Sequence, residues 1–127
     1  DQAMPTVAVE LATRALAAGD VQVWFAEGWR SPDGRLMPFS PGVARIVEEA
    51  RPTVLPVHVD GTFEALPRER RWPRFRKVSV TFGAPVEAAD LLVEDGEEAA
   101  RLSRLAASVR DLVDALDPRR DRGDPGA

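Results

Sequence analysis

Two short apolar segments on either side of a helix-forming segment constrain the fold more than any other feature of the sequence. Residues 21–25 and 53–59 are nearly continuous apolar runs, which is typical of strands buried in a parallel sheet. Between them, Ser40 and Pro41 indicate a helix start, because serine caps the first turn and proline fits the first helical position. We therefore predict a right-handed strand–helix–strand unit. Its helix covers 41–50, with Val43, Ile46, Val47 and Ala50 facing inward.

Three further segments have the periodicity of regular structure. Residues 7–18 favour a helix that is capped by Thr6 and ends at Gly19. Residues 77–82 alternate between apolar and polar, which predicts a third strand with one wetter face near a sheet edge. Residues 97–116 carry the apolar stripe of an amphipathic helix. The inward residues of the two helices are Leu11, Ala12, Ala15 and Leu16 in the first, and Leu102, Leu105, Ala106, Val109, Leu112, Val113 and Leu116 in the second.

These elements predict an α/β fold with an incomplete, mostly parallel sheet and flanking helices. About three strands are present, whereas a typical sheet has ~4–6. We therefore expect residues outside this chain to complete the sheet. Residues 1–116 are predicted to form part of one domain, and the Pro-, Arg-, Asp- and Gly-rich residues 117–127 a disordered tail.

Composition excludes several classes of function. The chain has no cysteine and a single histidine, His58, so we expect no thiolate chemistry and no metal site. A net charge of −4 provides no overall attraction to nucleic acid, which we do not expect as a partner. No apolar run approaches the ~20 residues that a membrane-spanning helix needs.

The most informative residues for function follow the first apolar segment, in the block Phe25-Ala26-Glu27-Gly28-Trp29-Arg30-Ser31. In α/β proteins, ligands bind where strands end. Because Glu27 and Arg30 are costly to bury unpaired, they either pair with each other as a structural contact or face a ligand. The spacing alone favours neither interpretation.

This block resembles the Phe-Pro-Glu-Gly-Thr-Arg-Ser block of the glycerolipid (lysophosphatidate-type, PlsC-like) acyltransferases. Three further features follow in that family's order and extend the resemblance over residues 21–85. They are Gly34-Arg35-Leu36 leading to Pro38-Phe39 and Gly42-Val43-Ala44-Arg45, then Leu55-Pro56-Val57-His58-Val59-Asp60-Gly61, and the closing strand that ends in Phe82-Gly83-Ala84-Pro85. Thr62-Phe63-Glu64-Ala65-Leu66-Pro67 with Arg70-Arg71-Trp72-Pro73 is similar to members fused to acyl-adenylating ligases.

The resemblance implies acyl transfer from acyl-CoA or acyl carrier protein, as co-substrate and without a cofactor, to the hydroxyl of a lysophospholipid. By match to the family block, Arg30 binds the acceptor phosphate and Glu27 holds the acceptor hydroxyls or fixes Arg30. Gly28 allows close backbone approach, and Ser31 completes the substrate-binding set. Trp29, which replaces the family's threonine, and Pro56 are expected to line the cleft.

The family's catalytic His-x-x-x-x-Asp block lies upstream of this resemblance and has no counterpart in the chain. Five residues after His58 stands Phe63, so His58 cannot be matched to the catalytic base. We expect this chain alone to be inactive and an N-terminal half of the domain to be its partner. The alternative is a non-catalytic lipid- or partner-binding domain derived from the same fold. A nucleotide-binding α/β fragment is a third possibility, but the chain lacks a glycine-rich phosphate loop.

The segment 68–77, called here the basic segment, has six positive residues and one acidic residue, Glu69. One interpretation is a membrane patch, because cations attract anionic headgroups and aromatic rings sit at headgroup depth. The other is a solvated loop whose arginines pair with the acidic residues of 87–98. With the family resemblance, the first predicts a cytoplasmic protein, peripheral at the inner face of the cell membrane. The predicted patch is Arg68, Arg70, Arg71, Trp72, Arg74 and Arg76.

Overall fold

The computed structural model describes residues 6–66 and 68–120, which form four helices and four short strands. The helices are α1 (Thr6–Ala17), α2 (Pro41–Ala50), α3 (Thr62–Ala65) and α4 (Glu98–Asp114). The strands are β1 (Thr53–Val54), β2 (Val57–Asp60), β3 (Ser79–Phe82) and β4 (Val86–Glu87), and a single turn of 3-10 helix follows at Ala88–Asp90.

Helix α2 is the centre of the core, because it packs against α1 on one side and α4 on the other. Its N-terminus forms as the sequence predicts: the Ser40 hydroxyl accepts a hydrogen bond from the Gly42 N–H, and Pro41 occupies the first helical position. Two apolar clusters result. The larger contains Val43, Ala44, Val47, Ala88, Leu102, Leu105, Ala106 and Val109, and the smaller contains Val9, Ala12 and Ile46.

The mixed α/β class is confirmed, but the prediction of mostly parallel pairing is wrong for the described strands. β1 pairs with β4 and β2 pairs with β3, both antiparallel. The predicted strand 53–59 is divided into β1 and β2 at Pro56, which lacks the N–H that a ladder needs. The Pro56 carbonyl still accepts a hydrogen bond from the Gly83 N–H at 2.8 Å. This contact lies between the two short sheets and joins them.

Residues 21–25 do not form the predicted strand. Val21 and Phe25 are 89% and 84% exposed, and no described strand pairs with this segment. A strand is stable only when its backbone pairs with a neighbour, so an apolar sequence without one does not form a strand. In α1, the predicted inward residue Leu11 is also exposed, and Val9 takes the buried position.

The antiparallel pair of β2 and β3 keeps the alternation predicted for the third strand, but its apolar face is open. Val57 lies opposite Phe82, and Val59 lies opposite Val80, so these four side chains share one face. Val59, Val80 and Phe82 are exposed, whereas His58 on the other face is buried. The β2–β3 pair therefore presents apolar side chains that the described residues leave uncovered.

The packed chain ends later than predicted, because residues 117–120 make specific contacts instead of starting a disordered tail. The Asp117 carboxylate accepts hydrogen bonds from the Arg119 backbone N–H at 2.9 Å and from the Arg119 guanidinium at 3.3 Å. The remainder of the predicted tail, residues 121–127, lies outside the described residues.

Candidate functional site

The block that follows the first apolar segment forms a tight turn at its glycine. The Gly28 N–H donates to the Phe25 carbonyl at 3.1 Å, and Gly28 has φ of +72°, a conformation that residues with a side chain adopt at a cost. A Cβ at this position would meet no atom within 4 Å. The backbone conformation, and not the space, therefore requires the glycine here.

Glu27 anchors this turn to the far end of the following loop. Its carboxylate accepts a hydrogen bond from the Met37 N–H at 2.7 Å, and the neighbouring Ala26 carbonyl accepts from the Ser40 N–H at 2.9 Å. Among the described residues, Glu27 forms no ion pair with Arg30. Glu27 therefore makes a structural contact with a backbone amide, and not the pair with Arg30 that one interpretation of the sequence predicted.

Within the loop, Ser31 is engaged with its own chain. Its hydroxyl donates to the Asp33 carboxylate at 3.1 Å, and the same carboxylate accepts from the Arg35 N–H at 3.0 Å. The hydrogen bond from the Arg35 N–H is the main cause that lowers the pKa of Asp33. Asp33 thus organises the tip of the loop, and the Ser31 hydroxyl orients towards it.

Two arginines from the C-terminal part of the chain hold the loop on its other side. The Arg110 guanidinium donates to the Leu36 carbonyl at 2.7 Å and to the Met37 carbonyl at 3.2 Å. Arg119 donates to the Gly34 carbonyl at 3.3 Å. The sequence analysis did not identify Arg110, because its acceptors are backbone carbonyls that no sequence pattern marks.

An open pocket of about 350 Å³ lies on the block itself and is lined by Phe25, Gly28, Trp29 and Arg30. Trp29 is 64% exposed, so its ring is available to a ligand. The pocket brings together three of the predicted residues, Gly28, Trp29 and Arg30. Glu27 and Ser31 are not among the residues that line it.

Arg68 connects the basic segment to this pocket. Its guanidinium carbon lies 5.8 Å from the centroid of the Trp29 ring, within the range of a cation–π contact, and it donates a hydrogen bond to the Arg30 carbonyl. Arg68 also lines a smaller pocket of about 160 Å³, together with Pro32, Phe63 and Glu69. Two guanidinium groups and an aromatic ring therefore belong to one exposed region, and guanidinium groups are suited to bidentate contacts with phosphate.

Pro56 lies in a packed position. It is buried, and a Cβ added to Gly83 would come within 2.8 Å of its ring. Neither pocket includes Pro56 in its lining. The close fit explains why the chain has a glycine opposite the proline.

His58 belongs to a buried polar cluster and lines neither pocket. Its Nε2 lies 4.0 Å from the Asp117 carboxylate, and its Nδ1 is buried without a hydrogen-bond partner among the described residues. Arg119 lies 3.7 Å from Asp60 and 3.3 Å from Asp117, which joins the end of the chain to β2. Burial raises the pKa of Asp117, but hydrogen bonds from Arg119 lower it by more, so the net shift is downward.

The part of the chain that the structure describes contains no group of three or more His, Cys, Asp or Glu side chains arranged to hold a metal ion. None of its helices is both long enough and apolar enough to cross a membrane.

Fold and site together define a mixed α/β domain with an exposed pocket lined by a guanidinium and a tryptophan. The pocket adjoins the apolar segment 21–25, which has no strand partner among the described residues. The sequence profile of the family described as Acyltransferase matches residues 2–60. The structure is similar to the crystal structure of the 1-acyl-sn-glycerophosphate (LPA) acyltransferase, PlsC, from Thermotoga maritima. The TM-score is 0.69 at 26% identity, over 89% of this chain and 44% of that chain. No curated protein matches the chain.

These two matches confirm the resemblance to the PlsC-like glycerolipid acyltransferases that the motifs indicated, and the chain has their fold. The chain spans less than half the length of the solved PlsC structure. The predicted fusion to an acyl-adenylating ligase stays a prediction.

Proposed function

We propose that the intact protein transfers an acyl group from acyl-CoA or acyl carrier protein to the hydroxyl of a lysophospholipid such as 1-acylglycerol 3-phosphate. This chain would supply the part of the site that binds the acceptor phosphate. The observation that supports the proposal is the position of the pocket: it lies on Gly28, Trp29 and Arg30, within the block that resembles the family's acceptor-binding motif.

In this proposal, Arg30 binds the acceptor phosphate through charge-assisted hydrogen bonds. Glu27 acts indirectly, because its contact with the Met37 N–H fixes the turn that carries Arg30. Trp29 offers a flat apolar surface beside the phosphate site, and we propose that it contacts the glycerol or acyl portion of the acceptor. Ser31 supports the loop through Asp33, and the Pro56 carbonyl accepts the hydrogen bond from the Gly83 N–H at the paired ends of β2 and β3.

The reaction forms an ester C–O bond, breaks the thioester C–S bond, and passes the hydroxyl proton through a base to the departing thiolate. Such a base contributes ~10²–10⁴-fold to the rate. The one histidine of the chain is buried against Asp117 and lines neither pocket, so we propose that the base comes from a His-x-x-x-x-Asp block in an upstream half.

The open apolar surface supports a role for such an upstream half. Residues 21–25 have no strand partner among the described residues, and the apolar face of the β2–β3 pair is exposed. Burying apolar surface stabilises by roughly 25 cal/mol per Å². We propose that the upstream half pairs with residues 21–25 and covers this face. The intact protein would act as a peripheral protein at the cytoplasmic face of the membrane.

The test compares the native protein that contains this chain with the chain alone. With lysophosphatidate as acceptor and acyl-CoA or acyl carrier protein thioester as donor, the native protein should form phosphatidate. The chain alone should release no more thiol than a boiled control. Absence of product from the native protein with both donors would refute acyl transfer, and turnover by the chain alone would refute the need for an upstream base.

The alternative is a non-catalytic lipid- or partner-binding domain. The burial of His58 away from both pockets is also consistent with this function. The two functions differ in the coding sequence upstream of Asp1. A His-x-x-x-x-Asp block there favours the enzyme, whereas a complete upstream sequence without one favours the binding domain.

A further inference from the structure

We propose that the basic segment, residues 68–77, is a docking surface for an anionic lipid bilayer. All ten residues are exposed. Six of them carry a positive charge, and one carries a negative charge. The chain as a whole has a net charge of −4, so attraction to an anionic surface must come from a local concentration of cations. The positive residues are Arg68, Arg70, Arg71, Arg74, Arg76 and Lys77.

The positive charges of this segment are not neutralised by the acidic residues of 87–98. None of the ion pairs among the described residues includes an arginine or lysine of the basic segment. Two of those acidic residues have other partners: Glu98 pairs with Arg45 at 3.3 Å, and Glu87 accepts a hydrogen bond from the Thr53 hydroxyl at 2.9 Å. The interpretation as a self-neutralised loop is therefore wrong for the part of the chain that the structure describes.

Two aromatic side chains stand out from the same segment. Trp72 is 82% exposed and Phe75 is fully exposed, although exposure of an apolar ring to water is energetically unfavourable. Tryptophan and phenylalanine next to arginine are suited to the headgroup region of a bilayer, where rings meet apolar chains and cations meet phosphates. The segment has no helix or strand, and the Arg74 N–H to Ala65 carbonyl hydrogen bond at 2.6 Å anchors its middle. The side chains on both sides of this contact are exposed.

Arg68 places this surface beside the pocket. It contacts the Trp29 ring and donates to the Arg30 carbonyl, so the basic segment begins at the mouth of the pocket on the block. If the pocket binds a lysophospholipid, docking through residues 70–77 would hold it against the surface that contains the acceptor. This last step rests on the proposed function, whereas bilayer binding by the segment does not.

The test is co-sedimentation of the full chain with vesicles of phosphatidylcholine, with and without phosphatidylglycerol. The charge variant is Arg70→Gln/Arg71→Gln/Arg74→Gln. The aromatic variant is Trp72→Ala/Phe75→Ala. A matched control, Arg14→Gln/Arg51→Gln/Arg104→Gln, removes the same number of charges from exposed positions on α1, after α2 and on α4. Circular dichroism checks that each variant is folded.

The wild-type chain should bind only the vesicles that contain phosphatidylglycerol, and added salt should weaken this binding. The charge variant should bind roughly 100-fold more weakly, and the control should bind within about twofold of wild type. The aromatic variant should bind more weakly and retain the salt dependence. None of these readouts requires acceptor or thioester, so their failure is separate from failure of the proposed acyl transfer.

Three results would overturn the proposal. The first is no binding to phosphatidylglycerol vesicles. The second is an equal loss of binding in the control, which would assign the attraction to total charge. The third is tighter binding to a single-stranded oligonucleotide than to vesicles, lost in the charge variant, which would make the segment a nucleic-acid surface.

Discussion

The substitution Arg110→Met tests whether the C-terminal helix holds the loop that carries the candidate site. Arg110 donates to the Leu36 and Met37 carbonyls at 2.7 and 3.2 Å, and methionine keeps the aliphatic part of the side chain while removing both donors. A hydrogen bond from a charged group contributes ~1.5–3 kcal/mol. Arg110 is half-buried, so water can replace part of these hydrogen bonds. We expect a loss of about 2 kcal/mol in the free energy of unfolding.

Urea denaturation measures this loss directly. With a urea dependence of ~1–3 kcal/mol per molar, a loss of about 2 kcal/mol moves the midpoint down by roughly 1 M. The matched control is Arg104→Met on the same helix, because Arg104 donates to the Asp95 carbonyl at an exposed position and should cost under about 1 kcal/mol.

Amide hydrogen exchange locates the effect. Met37 is held on both sides, since its carbonyl accepts from Arg110 and its N–H donates to Glu27. Loss of Arg110 should therefore increase exchange at the Met37 amide more than at amides of the α2 core. Equal midpoints for the two arginine variants, or unchanged exchange at Met37, would refute the idea that α4 positions this loop.

Two further predictions concern strain and acid stability. Gly61→Ala should cost more than ~3 kcal/mol in urea denaturation, because Gly61 has φ of +93° and a Cβ would clash with the Lys77 carbonyl oxygen. Gly28→Ala should cost only ~1–2 kcal/mol, because its Cβ meets open space; equal costs would contradict the close approach of Lys77 to Gly61. Asp117→Asn should destabilise the chain at neutral pH, and this difference should disappear as the pH falls below 3.8 and through the lowered pKa of the folded state. A difference that persists in acid would exclude the charge of Asp117 as its cause.

Local signals in the sequence were sufficient to predict the helices that form the core. Helix α2 has the predicted bounds, because Ser40 and Pro41 fix its start by contacts within one turn. Helix α4 follows its apolar stripe, and Leu102, Leu105, Ala106 and Val109 are buried as expected. In both cases, the residues that determine the helix lie within it or directly before it.

The strands could not be predicted from local sequence alone. An apolar run can predict that residues 21–25 prefer an extended backbone, but whether they form a strand depends on a neighbour from elsewhere in the protein. The direction of pairing is also non-local: residues 57–60 pair with 79–82 in antiparallel fashion, whereas the sheet as a whole was predicted to be mostly parallel. Both errors concern backbone partners that periodicity does not identify.

The candidate site was partly predictable for the same reason. Gly28, Trp29 and Arg30 are adjacent in sequence, so their meeting at one pocket follows from a single turn. The supporting contacts of Arg110 with Leu36 and Met37 join residues more than seventy positions apart. The acceptors are backbone carbonyls, which leave no mark on the sequence, and the role of Arg110 becomes visible only in the structure.

The most direct test of the central claim is the acceptor KM of the native protein with Arg30→Gln, with Arg35→Gln as a matched control. Arg35 is exposed in the same loop and does not line the pocket. If Arg30 binds the acceptor phosphate, its variant should raise the lysophosphatidate KM about 10–100-fold and leave the thioester KM within about twofold. The Arg35 variant should match wild type. An unchanged lysophosphatidate KM in Arg30→Gln would contradict the account.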